Sequence, residues 1–259
     1  MQSAVCRIGA PLPGTLPVPR LPSLSVAAAM PAHLEPVAAP APPTLLVVPV
    51  LMLGLVMAAP APGAELHARI VDSGGRPVAD AVVSLEPLGA ALVAPAASAI
   101  TRTIDQVDET FVPYVEVFRP GDSVVFENSD STRHHAYSFS PTRPFEMELA
   151  PGERSQALVL ERSGVVSVGC NIHDRMVTHL FVATTPWFAR TGSDGVAVLT
   201  DLPAGGYRVT TWHPQLRDPT STLVRTVALE RADSVGETAF TLSLLPDPRG
   251  ERGPERIAY

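Results

Sequence analysis

The sequence predicts an all-β protein made of two sandwiches. Three observations carry that expectation. From Glu65 onward no stretch holds a helical period, while short Val-rich runs alternate apolar and polar residues. Turn clusters break those runs at Gly74-Gly75, Pro120-Gly121-Asp122, Pro151-Gly152, Ser193-Asp194-Gly195 and Ala204-Gly205-Gly206. The 195 residues after position 64 are more than one small sandwich needs.

In chain order, Glu65–Val71 alternates Leu66, Ala68 and Ile70 with polar residues and stops at Asp72-Ser73-Gly74-Gly75. Ala81–Glu86 is a short apolar run, as a strand covered on both faces would be. The Ala-rich stretch Gly89–Ala99 reads as a linker or loop. Strands are expected next at Phe111–Phe118, Ser123–Asn128, His135–Ser140, Gln156–Leu160, Gly164–Gly169 and His179–Ala183. The last group is Val196–Thr200, Gly206–Trp212, Thr222–Leu229 and Thr238–Leu244. Aromatics are only 5% of the chain, so the core is expected to be mostly Val, Leu and Ala, with Tyr207 and Trp212 between sheets. The tail Pro246–Tyr259 is charged and rich in Pro and Gly, the composition of a disordered end.

The first 64 residues differ from the rest. They hold 13 of the 28 prolines and only three charged residues, Arg7, Arg20 and Glu35. Residues 44–59, TLLVVPVLMLGLVMAA, form an uncharged apolar run followed by APAPGA. That is the order of a signal-peptide core and a small-residue cleavage region, with cutting expected after Gly63 or Ala64. The run is shorter than the roughly 20 residues a membrane span needs. If retained, it would tether the chain by its N-terminus. The 43 residues before it are too long and too weakly charged for a signal n-region. Translation is therefore expected to start downstream of Met1, at Met30 or a non-Met codon. Export places the mature chain in a periplasm or outside the cell.

The formal charge is −7 and there is no lysine, which excludes a nucleic-acid binder working through a basic surface. The only cysteines are Cys6 and Cys170, so removal of the leader leaves one thiol and no disulfide framework.

The richest pattern is G-C-N-I-H-D-R-M, which sets Cys170, His173 and Met176 at C-x2-H-x2-M. Upstream, V-V-F-E-N-S-D-S-T-R-H-H offers His134 and His135. A thiolate and two imidazoles around one ion, with a weak thioether on the axis, suit copper. Three ligands lie on one short loop and the fourth on a distant strand, so folding assembles the site. Zinc fits less well, because thioether is a poor ligand for it and no second Cys is available. A buried Cys or a strand Met alone is usually packing; here the combination outweighs that reading. His179, past the loop, and His213, in Trp212-His213-Pro214, read as structural. Asp174 and Arg175 read as a solvated loop face, and His33 and His67 as incidental.

Residues 104–184 resemble the small blue copper proteins, the cupredoxins. The strings F-V-P-Y-V-E-V-F, R-P-G-D-S-V-V-F-E-N-S-D and G-V-V-S-V-G-C-N-I-H-D-R-M carry the resemblance. The ligand loop has the short spacing of amicyanin. R-H-H-x-Y-S-F-S and C-N-I-H-D-x-M are similar to exported methylamine-utilisation or plastocyanin-like proteins. The resemblance implies a Greek-key sandwich, one type 1 copper ion, and Cys170, His173 and Met176 as ligands. The first His stays open between two counts. Loop length from Asn128 selects His134. Strand alternation selects His135, sharing a face with Tyr137 and Phe139 that should point into the core. Loop length is preferred, and a bulge would reconcile either. His135 stands where the family usually has Asn, so the family's hydrogen bond toward the Cys sulfur does not carry over.

The flanks resemble a carboxypeptidase-regulatory-like, transthyretin-like Ig sandwich. E-L-H-A-R-I-V-D-S-G-G-R-P-V-A-D-A-V-V-S-L-E-P supplies its first two strands. T-G-S-D-G-V-A-V-L-T-D-L-P-A-G-G-Y-R-V-T-T-W-H-P supplies its continuation about a hundred residues later. The expected organisation is leader 1–64, first part of the Ig-like domain 65–100, cupredoxin domain 101–187, second part 188–245, and tail 246–259. Residues 81–86 should then pair with strands from 196–212. In the simpler alternative, Glu65–Val71 joins the cupredoxin sheet and 190–245 is a separate module.

The implied function is an exported type 1 copper protein carrying single electrons to or from a redox protein partner, not an enzyme. Two alternatives stand beside it: a copper-handling protein, and a structural or interaction module with a degenerate site.

Overall fold

The computed structural model describes residues 63–89, 98–218 and 223–249. Residues 1–62 of the expected leader, with Cys6 and His33, lie outside the described residues, as do 90–97 of the Ala-rich stretch and 250–259 of the tail. The described chain is all β. Among the described residues no helix is long and apolar enough to cross a membrane.

Two strands come first, β1 (Ala64–Asp72) and β2 (Val82–Leu88). Nine more follow: β3 (Thr101–Val107), β4 (Thr110–Val112), β5 (Val115–Phe118), β6 (Ser123–Asn128), β7 (His134–Ser138), β8 (Phe145–Leu149), β9 (Leu158–Val159), β10 (Gly164–Cys170) and β11 (Val177–Val182). The chain ends with β12 (Trp187–Arg190), β13 (Val196–Leu202), β14 (Gly205–Trp212), β15 (Leu223–Leu229) and β16 (Val235–Leu242).

The outer sandwich uses strands from both ends. Its sheets run β13-β1-β16 and β12-β2-β14-β15. β2 lies antiparallel to β14, from Val82 opposite Trp212 to Leu88 opposite Gly206. β1 lies antiparallel to β13 and parallel to β16. Alternation explains β1: Leu66, Ala68 and Ile70 are fully buried, while His67 and Arg69 face outward. They meet Leu85, Trp187, Tyr207 and Phe240 in one core.

The inner sandwich packs β5-β11-β10-β7-β8 against β4-β3-β6-β9. Its own core gathers Ile104, Phe111, Phe118, Phe126, Leu180 and the side chains of Cys170 and Met176. A third, smaller apolar group joins the sandwiches: Tyr114, Val115 and Val117 from the inner one meet Val82 and Trp212 from the outer. Trp212 lies with its ring centroid 5.1 Å from that of Phe181 on β11. Trp212 therefore packs both against the outer core and across to the inner sandwich, whereas Tyr207 lies wholly in the outer core as expected.

Several elements differ from expectation. Pro113 has no N–H to give a ladder and divides the run 111–118 into β4 and β5. β3, β8 and β12 were not expected. β3 is T-R-T-I-D-Q-V, whose polar residues hide its inward Ile104. β8 alternates F-E-M-E-L beside the prolines 141 and 144, and β12 is four residues long. In β7 the inward residues are His134, Ala136 and Ser138. The expectation that Tyr137 and Phe139 point into the core is corrected, since Phe139 is 83% exposed. Those aromatics pack against each other on the outer face, tilted, with ring centroids 5.2 Å apart, and Tyr137 lies over Gly169, where a Cβ would meet its ring at 3.3 Å.

His179 lies on β11, with Nδ1 3.1 Å from Ser167 Oγ and its ring edge-on to Tyr114 and Trp212. Burial first, then the charges of His213 and Arg249, push it down from 6.5 to about 4. The unfolded chain therefore binds more protons between these values, and the stability from neutral His179 is lost as pH falls. The unfolding free energy of wild type relative to His179→Gln should decline from pH 6.5 to about 4 and level off below. Denaturant titrations across that range check this; a flat difference would refute the assignment.

Candidate metal centre

Two strand ends and one tight loop build the site. β6 ends at Asn128, which is almost fully buried. Its Nδ2 donates to the carbonyls of Thr132 and Leu149, and its Oδ1 accepts from the Asp130 N–H. This ties down the 129–133 loop and delivers His134 to the start of β7. On the other side, β10 ends at Cys170. The loop closes on itself: Met176 N–H donates to the His173 carbonyl at 3.2 Å, and Cys170 N–H to the Met176 carbonyl at 3.1 Å.

The result is a triangle of donors. Nδ1 of His134 and Nδ1 of His173 each lie 3.9 Å from Cys170 Sγ. The three ligand atoms all lie within 4.8 Å of one another. Metal–sulfur and metal–imidazole bonds of about 2.3 and 2.0 Å, opened to a trigonal angle, put S and N about 3.8 Å apart. The sulfur-to-nitrogen edges thus match a trigonal ion almost without adjustment. His134 is wholly buried, Cys170 is 7% exposed, and His173 keeps 21% of its side chain in solvent. Cys170 is a free, buried cysteine.

Met176 is buried in the same core group as Cys170, tied by backbone to both Cys170 and His173. His135 does not join the cluster. One residue past His134 on a strand, it faces the opposite side, with Nε2 2.8 Å from Glu146 Oε1. The strand-alternation count that selected it as a ligand had the two faces of β7 reversed. Its backbone still serves the site, because its carbonyl accepts the Asn171 N–H at 3.0 Å. His134→Ala should lose metal binding while His135→Ala retains it, as titration of each variant with Cu(II) would register.

The other sequence candidates lie apart from the triangle. Asp174 and Arg175 are exposed on the loop. His67 sits against Glu65 on the surface. His213 is buried, and burial chiefly pushes its pKa down; its Nδ1 accepts the Gln215 N–H.

Sequence reasoning missed two carboxylates behind the imidazoles. Asp130 Oδ2 lies 2.7 Å from His134 Nε2. The same carboxylate accepts the Asp108 N–H at 2.6 Å and the Glu109 N–H at 2.8 Å. Burial pushes Asp130 up, but hydrogen bonds from the Glu109 N–H, His134 and the Asp108 N–H outweigh it and leave it below the usual carboxylate value. Glu109 Oε1 lies 3.9 Å from His173 Nε2. An acid four residues before the first His was the available signal.

No family model matches the chain, and no curated protein matches it. Solved structures are similar to part of it. A Cu-containing nitrite reductase from Thermus scotoductus SA-01 is 24% identical, over 39% of this chain and 26% of its own, with a TM-score of 0.31. The chain thus spans about a quarter of that enzyme. A purple cupredoxin from Nitrosopumilus maritimus is 22% identical, over 31% of this chain and 98% of its own, at 0.28. An amicyanin variant in its Cu(I) form is 13% identical, over 32% and 82%, at 0.29. The solved structures to which the chain is partly similar therefore include cupredoxins.

Proposed function

We propose that the chain is an exported type 1 copper protein that carries single electrons between redox partners and is not an enzyme. The observation that supports this best is the triangle of one thiol and two imidazole nitrogens at 3.9 Å edges. Its donor set of one soft sulfur and two imidazoles, with Met176 buried beside it, suits copper better than zinc. A bound copper ion supplies a one-electron couple. The chain's own part is to hold Cys170 and both imidazoles in one arrangement for either oxidation state, so that little has to move. Saturated by Cys170, His134, His173 and Met176, the ion would have no open position for substrate.

His173 is the exit we assign to the electron, because its ring is the ligand with an edge in solvent. Ile172 beside it is 52% exposed. The partner is a redox protein seated there, and the charge of −7 favours a basic one, in a salt-dependent way. Nucleic acid is not a partner. We read the copper domain, expected at 101–187, as inserted in a sandwich formed by 65–100 and 188–245, with Trp187 itself belonging to the outer sandwich as the first residue of β12. The leader takes the chain to the periplasm or beyond, or tethers it if retained.

The test is to load the protein with Cu(II) and record its visible spectrum. Intense thiolate-to-copper absorption that bleaches on one-electron reduction is the expected result. Binding without that absorption would favour ion handling. No binding would leave the sandwiches as an interaction module.

A further inference from the structure

We propose that Asp130 is the positioning residue of this site: it fixes His134 and, through the 108–109 turn, brings Glu109 beside His173, biasing the site toward the more positive ion. The inference rests on the copper reading above and adds a determinant of oxidation state to it.

The geometry is specific. His134 turns Nδ1 to the Cys170 sulfur, so its partners assign the ring proton to Nε2, which donates to Asp130 Oδ2 at 2.7 Å. The imidazole is wholly buried and the Asp130 side chain is 12% exposed, so little water screens the pair. With that bond in place the ring cannot flip or swing without leaving a buried N–H unpaired. A carboxylate there also raises the electron density of the ring and places a negative charge behind it. That charge attracts a doubly charged ion more strongly than a singly charged one.

Asp130 reaches the second imidazole indirectly. Asp108 and Glu109 both adopt positive φ, 51° and 54°, a conformation uncommon for side-chain-bearing residues. Both their N–H groups point at Asp130, which thereby holds the turn. The turn in turn sets Glu109 Oε1 3.9 Å from His173 Nε2. One carboxylate thus organises the outer edge of both rings.

The test compares wild type with Asp130→Asn and Glu109→Gln. Each is titrated with Cu(II) and with Cu(I) against a competing chelator, and the midpoint potential is measured. Asp130→Asn should weaken Cu(II) binding about 10- to 100-fold. Cu(I) binding should weaken less, so the potential rises by about 59 mV for each tenfold difference. Glu109→Gln should shift both in the same direction by less. Asp130→Ser, which keeps an acceptor for the turn, serves if the asparagine variant does not fold. Unchanged affinities and potential, with only a lower melting temperature, would make Asp130 a turn-former and overturn the inference. Ring ¹⁵N shifts of His134 in the metal-free protein separate this failure from that of the copper reading. Wild type should show the Nε2-protonated tautomer, and Asp130→Asn a mixture; identical shifts would overturn the orienting role even where copper binds.

Discussion

Replacing Cys170 by alanine should abolish the intense visible absorption of the Cu(II)-loaded protein while leaving the fold in place. The sulfur is the one atom common to both 3.9 Å edges of the triangle. The absorption arises from the copper–thiolate bond, so no remaining donor can restore it. Two imidazoles and a thioether would be left, a set with no anionic ligand to balance Cu(II). The packing cost is small by comparison. Cys170 is a buried small side chain at the end of β10, and its truncation should cost about 1–2 kcal/mol. Spectrum and denaturant melt of the same variant separate the two effects. A Cys170→Ala protein that kept the band would end the type 1 proposal. One that failed to fold would show that the thiol is a packing element first.

The ligand loop was legible in the sequence because its chemistry is local. Cys170, His173 and Met176 fall within seven residues, and a thiolate, an imidazole and a thioether at that spacing have few other common uses. The first histidine was half legible. Loop length pointed to His134, but the aromatic residues at 137 and 139 suggested that the odd positions face the core. Structure reverses that because Tyr137 covers the side-chain-free Gly169 and Phe139 packs against Tyr137, an outer-face arrangement that depends on the neighbouring strand. Asp130 was not legible as a site residue. Its role needs the 108–109 turn, some twenty residues away, and the direction of a ring that only the fold aims. The polar β3 escaped for a different reason: its hairpin with β4 turns at Asp108-Glu109, without the Gly or Asn that usually marks such a turn, and its other neighbour β6 lies parallel to it.

Tyr207→Ala should destabilise the outer sandwich by about 3–5 kcal/mol. Tyr207 is fully buried and is the largest of the wholly buried side chains; its hydroxyl donates to the Pro203 carbonyl at 2.5 Å and its ring lies edge-on to Trp187. Truncation removes the ring from the outer core and leaves the Pro203 carbonyl without that donor. Among the described residues the two cores share no buried residue, and a smaller apolar group around Trp212 and Tyr114 spans them. Their dependence is unequal. The outer sandwich must bring β2 and β12 together across the whole inner block, and a folded inner block closes that gap in advance. The inner block has no such need. The outer sandwich should therefore melt first, its transition falling by roughly 12 °C or more at 4–8 °C per kcal/mol, while the copper band persists to a second, copper-stabilised transition. Calorimetry with the visible band followed in parallel checks this. A single transition in which Tyr207→Ala takes the band away with the first unfolding signal would mean that the two sandwiches form one cooperative unit, and that Trp212 on Phe181 and His179 couples them more strongly than either core holds itself.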